Sequence, residues 1–314
     1  MEKKKQYKPN TCVSTYEFME KFPNEETAIV YIENLRWQNG IVCPLCGSHE
    51  IIRNDTKHQH WCKKCRNHFS VRVNTIFHSS HIKLHKWLYA IYLVMTSRKG
   101  ISSMQLSKEI GVTQKSAWYL QQRIREAFTE GDDSFLRGVV EIDESFFGGK
   151  NENRHAIKQL PAAVARDNKI KVVGARERGT GRVKSAVVGN VTGATLCDFT
   201  RSTVEQDSVI CTDEAAGYNG LNDDYTHKTV NHSAKEYVDG MAYTNGIESF
   251  WAVLKRGFYG IHHWFSEKHA QRYVNEFAFR VYEGSCDRHS YDRMDSALTY
   301  FFLHRTTYRQ IIDA

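Results

Sequence analysis

The sequence predicts a multidomain chain of the α+β / α/β class: a small cysteine-rich module, an all-helical module and a mixed-sheet domain. Three observations predict it. Two Cys-x2-Cys pairs lie fifteen residues apart, at Cys43, Cys46, Cys62 and Cys65. Two helix-like segments break at Gly111 between apolar runs. From about Val139 onward, β-type runs punctuated by glycines give way to a helical region that starts near Asn245. A chain of 314 residues has the length for two or three units, and 41% apolar with 12% aromatic residues is ample for packed cores.

The formal charge is +7 with a pI near 8.9, and fifteen histidines can add positive charge at lower pH or beside phosphates. Such a balance suits a polyanionic partner. There is no run of eighteen apolar residues and no hydrophobic segment behind the basic start "MEKKKQYKPN". Neither a membrane span nor a secretory signal is expected, and the chain reads as cytoplasmic.

Taken in order, residues 1–24 form a basic N-terminal segment, and 25–78 hold the ribbon with a flanking helix. "CPLC" and "CKKC" have zinc-ribbon spacing, in which each pair makes a knuckle that aims two thiolates at one tetrahedral ion. The stretch between them alternates enough to return the chain as a short hairpin. Disulfides would need an oxidising compartment, and a redox motif would explain one pair but not two. His49, His58, His60 and His68 could substitute as ligands and are read as surface or phosphate-facing groups, while Cys12, Cys197, Cys211 and Cys286 are read as small buried or free thiols.

Residues 79–130 read as the helical module. "LHKWLYAIYLVMTSRKG" carries a continuous apolar stripe and stops at Gly100. In "ISSMQLSKEIGVTQKSAWYLQQRIREAF", Ser102 or Ser103 caps one helix and Thr113 the next, which makes a helix-turn-helix candidate. Gln114, Lys115 and Ser116 open the second helix, with Tyr119, Gln122 and Arg123 following. All are residue types able to reach phosphates or base edges.

"TEGDDSFLRG" reads as a linker into the mixed α/β domain, residues 135–285, with a helical tail over 286–314. Asp143 is expected near the end of the first strand, Asp213 just after a later strand and Glu248 in the first turn of a helix, with spacings of 70 and 35 positions. Each has an ordinary structural reading: a strand-end surface group, an Asx turn or helix cap, and a capping box begun by Asn245. Together they offer three hard oxygen ligands from three elements, which suits two Mg2+ or Mn2+ ions and in-line phosphoryl transfer. In "YTNGIESFWAVLKRG", seven residues at about 100° bring Lys255 to the same helix face as Glu248, roughly 10 Å along the axis. Glu248 would then bind metal, and Lys255, with Arg256 beside it, would bind the phosphate of the substrate.

The words "CPLCGS", "WCKKCRNHFSVRVNTIF", "VEIDESFFGGK", "VVGARERGTGRV", "VICTDEAAGYNGL" and "AYTNGIESFWAVLKRGFYGIHHWFSEKHAQRYVNEFAFR" occur in order between about residues 25 and 280. On them the chain closely resembles the ISXO2-like DDE transposases of bacterial insertion sequences. The resemblance implies a zinc ribbon, a helix-turn-helix and an RNase H-like catalytic domain. It carries the family's three acidic positions onto Asp143, Asp213 and Glu248, and its downstream lysine onto Lys255. Tyr243 departs from the family, which has histidine there, and "VYEGSCDRHSYDRMD" follows it loosely. The implied function is binding of terminal inverted repeats and target DNA, with metal-dependent 3′-end cleavage and strand transfer. One structural Zn2+, two catalytic Mg2+ or Mn2+ ions and a homo-oligomer of two or more copies on DNA are expected. Two other readings are a catalytically silent DNA-binding regulator derived from such an enzyme and a stand-alone RNase H-like nuclease.

Overall fold

The computed structural model of the chain describes residues 11–128, 134–149, 155, 157, 159, 161, 164, 168–213, 216–221, 224–230, 244–285, 287–303 and 305–312. The basic start "MEKKKQYKPN", the first half of the expected linker, Tyr243 and Cys286 lie outside the described residues. The chain divides into two compact units, residues 1–128 with 283–314, and residues 129–282. The segments expected as ribbon, helix-turn-helix module and C-terminal tail therefore share one unit. No helix among the described residues is long and apolar enough to cross a membrane.

The first unit opens with α1 (Thr15–Lys21), held by a capping box between Ser14 and Glu17, and α2 (Glu25–Arg36), capped by Asn24. The ribbon follows as β1 (Ile51–Ile52), β2 (His60–Cys62) and β3 (His68–Phe69), an antiparallel sheet in that order. Its buried apolar content is small: Cys43, Cys62 and Phe69, with Trp37, Ile41 and Val73 packed around them. The four cysteine sulfurs lie within 4.8 Å of one another. Cys43 Sγ stands 3.7 Å from Cys65 Sγ, and Cys46 Sγ 3.6 Å from Cys62 Sγ. A tetrahedral ion with metal–sulfur bonds of about 2.3 Å places its ligands roughly 3.8 Å apart, so the cluster fits zinc. The N–H of Cys65 points at the Cys62 thiol and contributes most to lowering it, while burial raises the thiol of Cys43. His60 is fully buried rather than phosphate-facing. Its Nε2 and the Nδ1 of His58 lie 3.3 and 3.2 Å from the carboxylate of Glu33 on α2, tying the ribbon to its flanking helix.

Helix α3 (Leu84–Thr96) is buried along nearly its whole length, which explains why its apolar stripe is continuous. After it, α4 (Ser103–Ile110) is capped by Ser102, whose Oγ accepts the N–H of Gln105. Gly111 ends α4 in the left-handed region at φ +62°, the conformation only glycine adopts cheaply. Thr113 caps α5 (Gln114–Glu126), accepting the N–H of Ser116. A three-residue turn thus joins two capped helices. The tail returns as α9 (Ser290–Phe301), where fully buried Arg293 donates to the carbonyl of Met95 at the end of α3. A short helix α10 (Tyr308–Ile312) follows.

The second unit is built on a five-stranded mixed sheet. In chain order the strands are β4 (Val139–Phe147), β5 (Ile170–Glu177), β6 (Val183–Val188), β7 (Val209–Asp213) and β8 (Thr226–Val230), and they lie in the order β6-β5-β4-β7-β8. β4 pairs antiparallel with β5 and β5 with β6, while β4–β7 and β7–β8 are parallel. Alternation along β4 and β5 sends Val140, Ile142, Val173 and Ala175 to one face, against α6 (Gly193–Thr203) and Tyr218. Phe147, Ile170 and Val172 go to the other, against α7 (Asn245–Gly257) and α8 (Glu267–Val281).

One buried carboxylate fixes where α7 sits. Glu141 on β4 is fully buried, and its Oε2 accepts the N–H of Ile247 at 2.8 Å, one of the first-turn donors a helix cannot satisfy itself. Its Oε1 accepts from Arg178 Nε at 2.7 Å. Arg176, paired across the strands with Glu141, lies so close to Gly246 that a Cβ added there would stand 2.0 Å from its Nη1. A Cβ there would also stand 2.6 Å from Oε2 of Glu141, which Ile247 and Arg178 hold in place, so the helix start leaves no room for a side chain.

Cys62→Ser should release one zinc per chain and loosen the ribbon while the second unit stays folded; elemental analysis of wild-type protein that finds no zinc contradicts the site. Glu141→Ala should cost about 3–5 kcal/mol, because it removes the charged partner of a largely buried guanidinium and the acceptor of a first-turn helix N–H. Urea unfolding read on the second unit checks it, and a loss below about 1 kcal/mol would mean that α7 is held by apolar packing alone.

Candidate active site

The parallel register between β4 and β7 explains the spacing of the two aspartates. Val139, Val140 and Glu141 lie opposite Val209, Ile210 and Cys211, a constant offset of 70 positions. Asp143 and Asp213 keep that offset two residues beyond the last paired position, and they stand close enough for the charge of Asp213 to act on the carboxyl of Asp143. Asp213 is the last residue of β7. Asp143, expected near a strand end, is instead the middle residue of β4. Antiparallel pairing with β5 continues to Phe147, whereas β7 stops at Asp213. Asp143 is thus at the end of the parallel part of the sheet only, where open α/β sheets place ligands.

Asp143 is held on both oxygens. Oδ1 accepts the N–H of Glu144 at 2.8 Å, and Oδ2 accepts the indole Nε1–H of Trp251 at 3.0 Å. Burial, with the nearby charges of Glu144 and Asp213 adding to it, pushes its carboxyl up to about 7, although both hydrogen bonds work the other way. Tyr218 adds to this acidic corner from the short helix 216–221, donating its hydroxyl to Glu144 Oε2 at 3.1 Å. Burial and the charges of Glu144, Asp143 and Asp213 hold that hydroxyl in its protonated form.

Glu248 lies in the first turn of α7 and is exposed. The capping box anticipated from Asn245 is not formed. Thr244 is the N-cap residue, it makes no side-chain cap, and Glu248 falls at the fourth helical position. The Thr244 hydroxyl donates instead to Glu248 Oε1 at 3.2 Å. First-turn donors are served by Glu141 from the sheet, so Glu248 is not spent on capping. Trp251 and Lys255 lie three and seven residues on, along one helix face, with Lys255 and Arg256 exposed. Trp251 thus links that face to Asp143. Asp143 also pairs across the strands with Gly174, whose missing side chain makes the room: a Cβ there would stand 2.8 Å from the indole.

These contacts bring Asp143 and Asp213 side by side and tie the helix of Glu248 and Lys255 to the same strand. They do not gather the three carboxylates into a preformed cluster. Among the described residues, only the four ribbon cysteines place three or more ligand atoms within 4.8 Å of one another. The donors at the sheet are nonetheless hard oxygens, and the crowding of Asp143 by two other acids is of the kind a divalent cation relieves.

In the first unit, α5 divides its expected DNA contacts. Gln114 and Lys115 are exposed and Ser116 and Tyr119 half-buried, whereas Gln122 is 0% and Arg123 3% exposed. Those last two are interior residues and lie off the exposed face of α5. Arg123 donates to the carbonyl of His78 at 2.8 Å and lies over the rings of Trp87 and Tyr119. The helical stripe that includes them packs inward, which residue type alone does not reveal.

Sequence reasoning missed Glu141, Gly174, Tyr218 and Trp251. A signal existed for the first: Glu141 interrupts an apolar strand on the same face as Asp143. Gly174, inside an otherwise apolar β-run, was likewise readable as a place where another group approaches closely.

Residues 135–281 match the ISXO2-like transposase domain, and residues 23–68 match a transposase zinc-ribbon domain. The chain is similar to "Uncharacterized protein in transposable element ISH50" of Halobacterium salinarum, 28% identical over 272 residues, which are 82% of this chain and 91% of that protein. It is similar also to an "Uncharacterized transposase-like protein" of Haemophilus influenzae, 34% identical over 103 residues, 32% of this chain and 80% of that protein. Among solved structures, a chain of the simian T-cell lymphotropic virus intasome in complex with PP2A regulatory subunit B56 gamma aligns at 15% identity with a TM-score of 0.28, over 62% of this chain and 64% of that chain. That likeness is too weak to carry an argument. The two matched domains in order, the geometry of the four-cysteine ribbon and the relative matched over four-fifths of its length place this chain in the ISXO2-like transposase family.

Proposed function

We propose that the chain binds the terminal inverted repeats of its insertion sequence, cleaves the 3′ ends and joins them to target DNA, working as a homo-oligomer of two or more copies. The single observation that carries this reading is the presence of Asp143 and Asp213 on the adjacent parallel strands β4 and β7, near enough for their charges to interact, with the helix of Glu248 anchored to β4. A five-stranded mixed sheet with helices on both faces supports the RNase H-like expectation.

Asp143, Asp213 and Glu248 would hold the catalytic ions. Mg2+ or Mn2+ bound there supplies charge stabilisation at the attacking and leaving oxygens of an in-line displacement. The chain's own part is positional. Trp251 and the N–H of Glu144 fix both oxygens of Asp143, so the carboxylate does not swing to reach its ligand. Lys255, about two helical turns beyond Glu248, would seat the scissile phosphate, and Arg256 the adjoining backbone. In the first unit, Gln114, Lys115 and Ser116 would meet the DNA end at the exposed start of α5, the end of a recognition helix that reads base edges.

Glu248→Gln keeps the size of the side chain and leaves the Glu141 cap untouched. Folding and end binding should stay near normal while cleavage of a labelled transposon end falls by at least about 10²-fold. Lys255→Ala should retain metal binding and lose about 10²-fold in cleavage through misplacement of the phosphate. Wild-type cleavage by Glu248→Gln under limiting magnesium rejects the triad, and end binding by the wild-type chain without any cleavage favours the silent regulator.

Lys115→Ala should weaken end binding and lower the slope of log K against log salt by about 1. An unchanged slope would move end recognition away from the first turn of α5.

A further inference from the structure

Behind α5, within the first unit, lies a cavity of about 420 Å3. It is bounded by the loop from His78 to Ile82, by one face of α5 and by the segment from Arg305 to Tyr308. Two guanidinium groups, Arg123 and Arg305, and two imidazoles, His78 and His81, line it. Most of the remaining polar lining is hydroxyl, from Ser116 and Thr307 among others, and among the described residues no carboxylate lines it.

Arg123 is the built part of the site. It is 3% exposed, and its Nε is buried with no hydrogen-bond partner among the described residues. Burying a guanidinium with an unmade hydrogen bond is costly, and nothing anionic in that lining offsets it. His78 registers the same field: burial, then Arg305 and Arg123, lower its pKa. A cavity that gathers cations, hydroxyl donors and one unsatisfied N–H is complementary to a compact oxyanion.

We propose that this cavity is a phosphate site. The inference rests on the DNA-binding reading only for the source of the phosphate. Ser116, Tyr119 and Arg123 face the cavity from α5, and Lys115 lies about 40° to 100° round the helix from them. A duplex that meets the exposed start of α5 would bring its backbone to the mouth of the cavity, where Arg305 is exposed. A free phosphate monoester offers the same chemistry.

The test uses the full chain and Arg305→Gln, since removing an exposed side chain spares the fold and leaves Arg123 in place. Arg305→Lys serves as the charge-retaining control and Arg98→Gln as a charge-matched one away from the cavity. In calorimetric titration with inorganic phosphate, Arg305→Gln should weaken binding about tenfold, the size of one charge-assisted hydrogen bond, with Arg98→Gln unchanged. In anisotropy titration with duplex transposon ends, it should lower the salt slope by about 1, and Arg305→Lys should restore it. A lowered slope assigns the phosphate to the DNA backbone. Weakened phosphate binding with an unchanged slope assigns it to a free phosphate. If neither titration responds to Arg305→Gln, the cavity is not a phosphate site. Wild-type protein that binds no duplex sinks the DNA-binding reading of α5, while the inorganic-phosphate arm still decides the cavity.

Discussion

The second unit depends on the carboxylate of Glu141. A charged group inside a sheet is expensive unless every lone pair finds a donor, and here Arg178 and the N–H of Ile247 supply them. The consequence is geometric. An apolar helix–sheet interface tolerates sliding, because dispersion and burial are non-directional, whereas a hydrogen bond from a helix N-terminus to one carboxylate fixes both the axial position and the rotation of α7. Gly246 and Gly174 complete the constraint by removing the two side chains that would hold the helix off the sheet. Glu248, Trp251 and Lys255 then have defined places relative to Asp143 because they are carried by a helix whose first turn is pinned two residues away from it.

That arrangement concentrates acid. Burial, with the charges of Glu144 and Asp213 adding to it, raises the carboxyl of Asp143, and burial with the same acids holds Tyr218 protonated. Among the described residues, no lysine or arginine pairs with Asp143 to relieve this crowding, although Arg178 does so for Glu141 two residues earlier. The contrast separates the two roles of neighbouring acids on one strand face. A structural carboxylate is neutralised by the protein. Asp143 is oriented by neutral donors, a backbone N–H and an indole, which fix its direction without neutralising its charge.

Much of this was legible in the sequence, and the reasons differ by element. The ribbon was legible because four thiolates at fixed spacing have few other uses, and the helix-turn-helix segment because caps and a left-handed glycine are local signals. Asp143 and Asp213 were visible as residues, but their adjacency is a property of the β4–β7 register, which no local pattern contains. The misreadings share one cause. His60, Gln122 and Arg123 are polar residues buried by tertiary packing, and their types alone made them look like surface groups. The alternative reading of Glu248 as a cap does not hold, because the first turn takes its partner from 106 residues away on β4.

The two faces of α5 make the same point about where polar groups are put. Its exposed start carries Lys115, with water as its alternative partner, and Gln114, which donates to Ser103 Oγ at 2.8 Å. Its inward face carries Arg123, already dehydrated, stacked on Trp87 and Tyr119 and short of one hydrogen bond. An exposed lysine gains little from a phosphate beyond the release of counterions, because it gives up water to do so. A buried guanidinium has lost its water on folding, so an oxyanion that reaches it meets a donor with no competing partner. A helix built this way can separate the two tasks of a nucleic-acid contact, with adaptable groups at the base edges and a rigid, preorganised cation for the backbone.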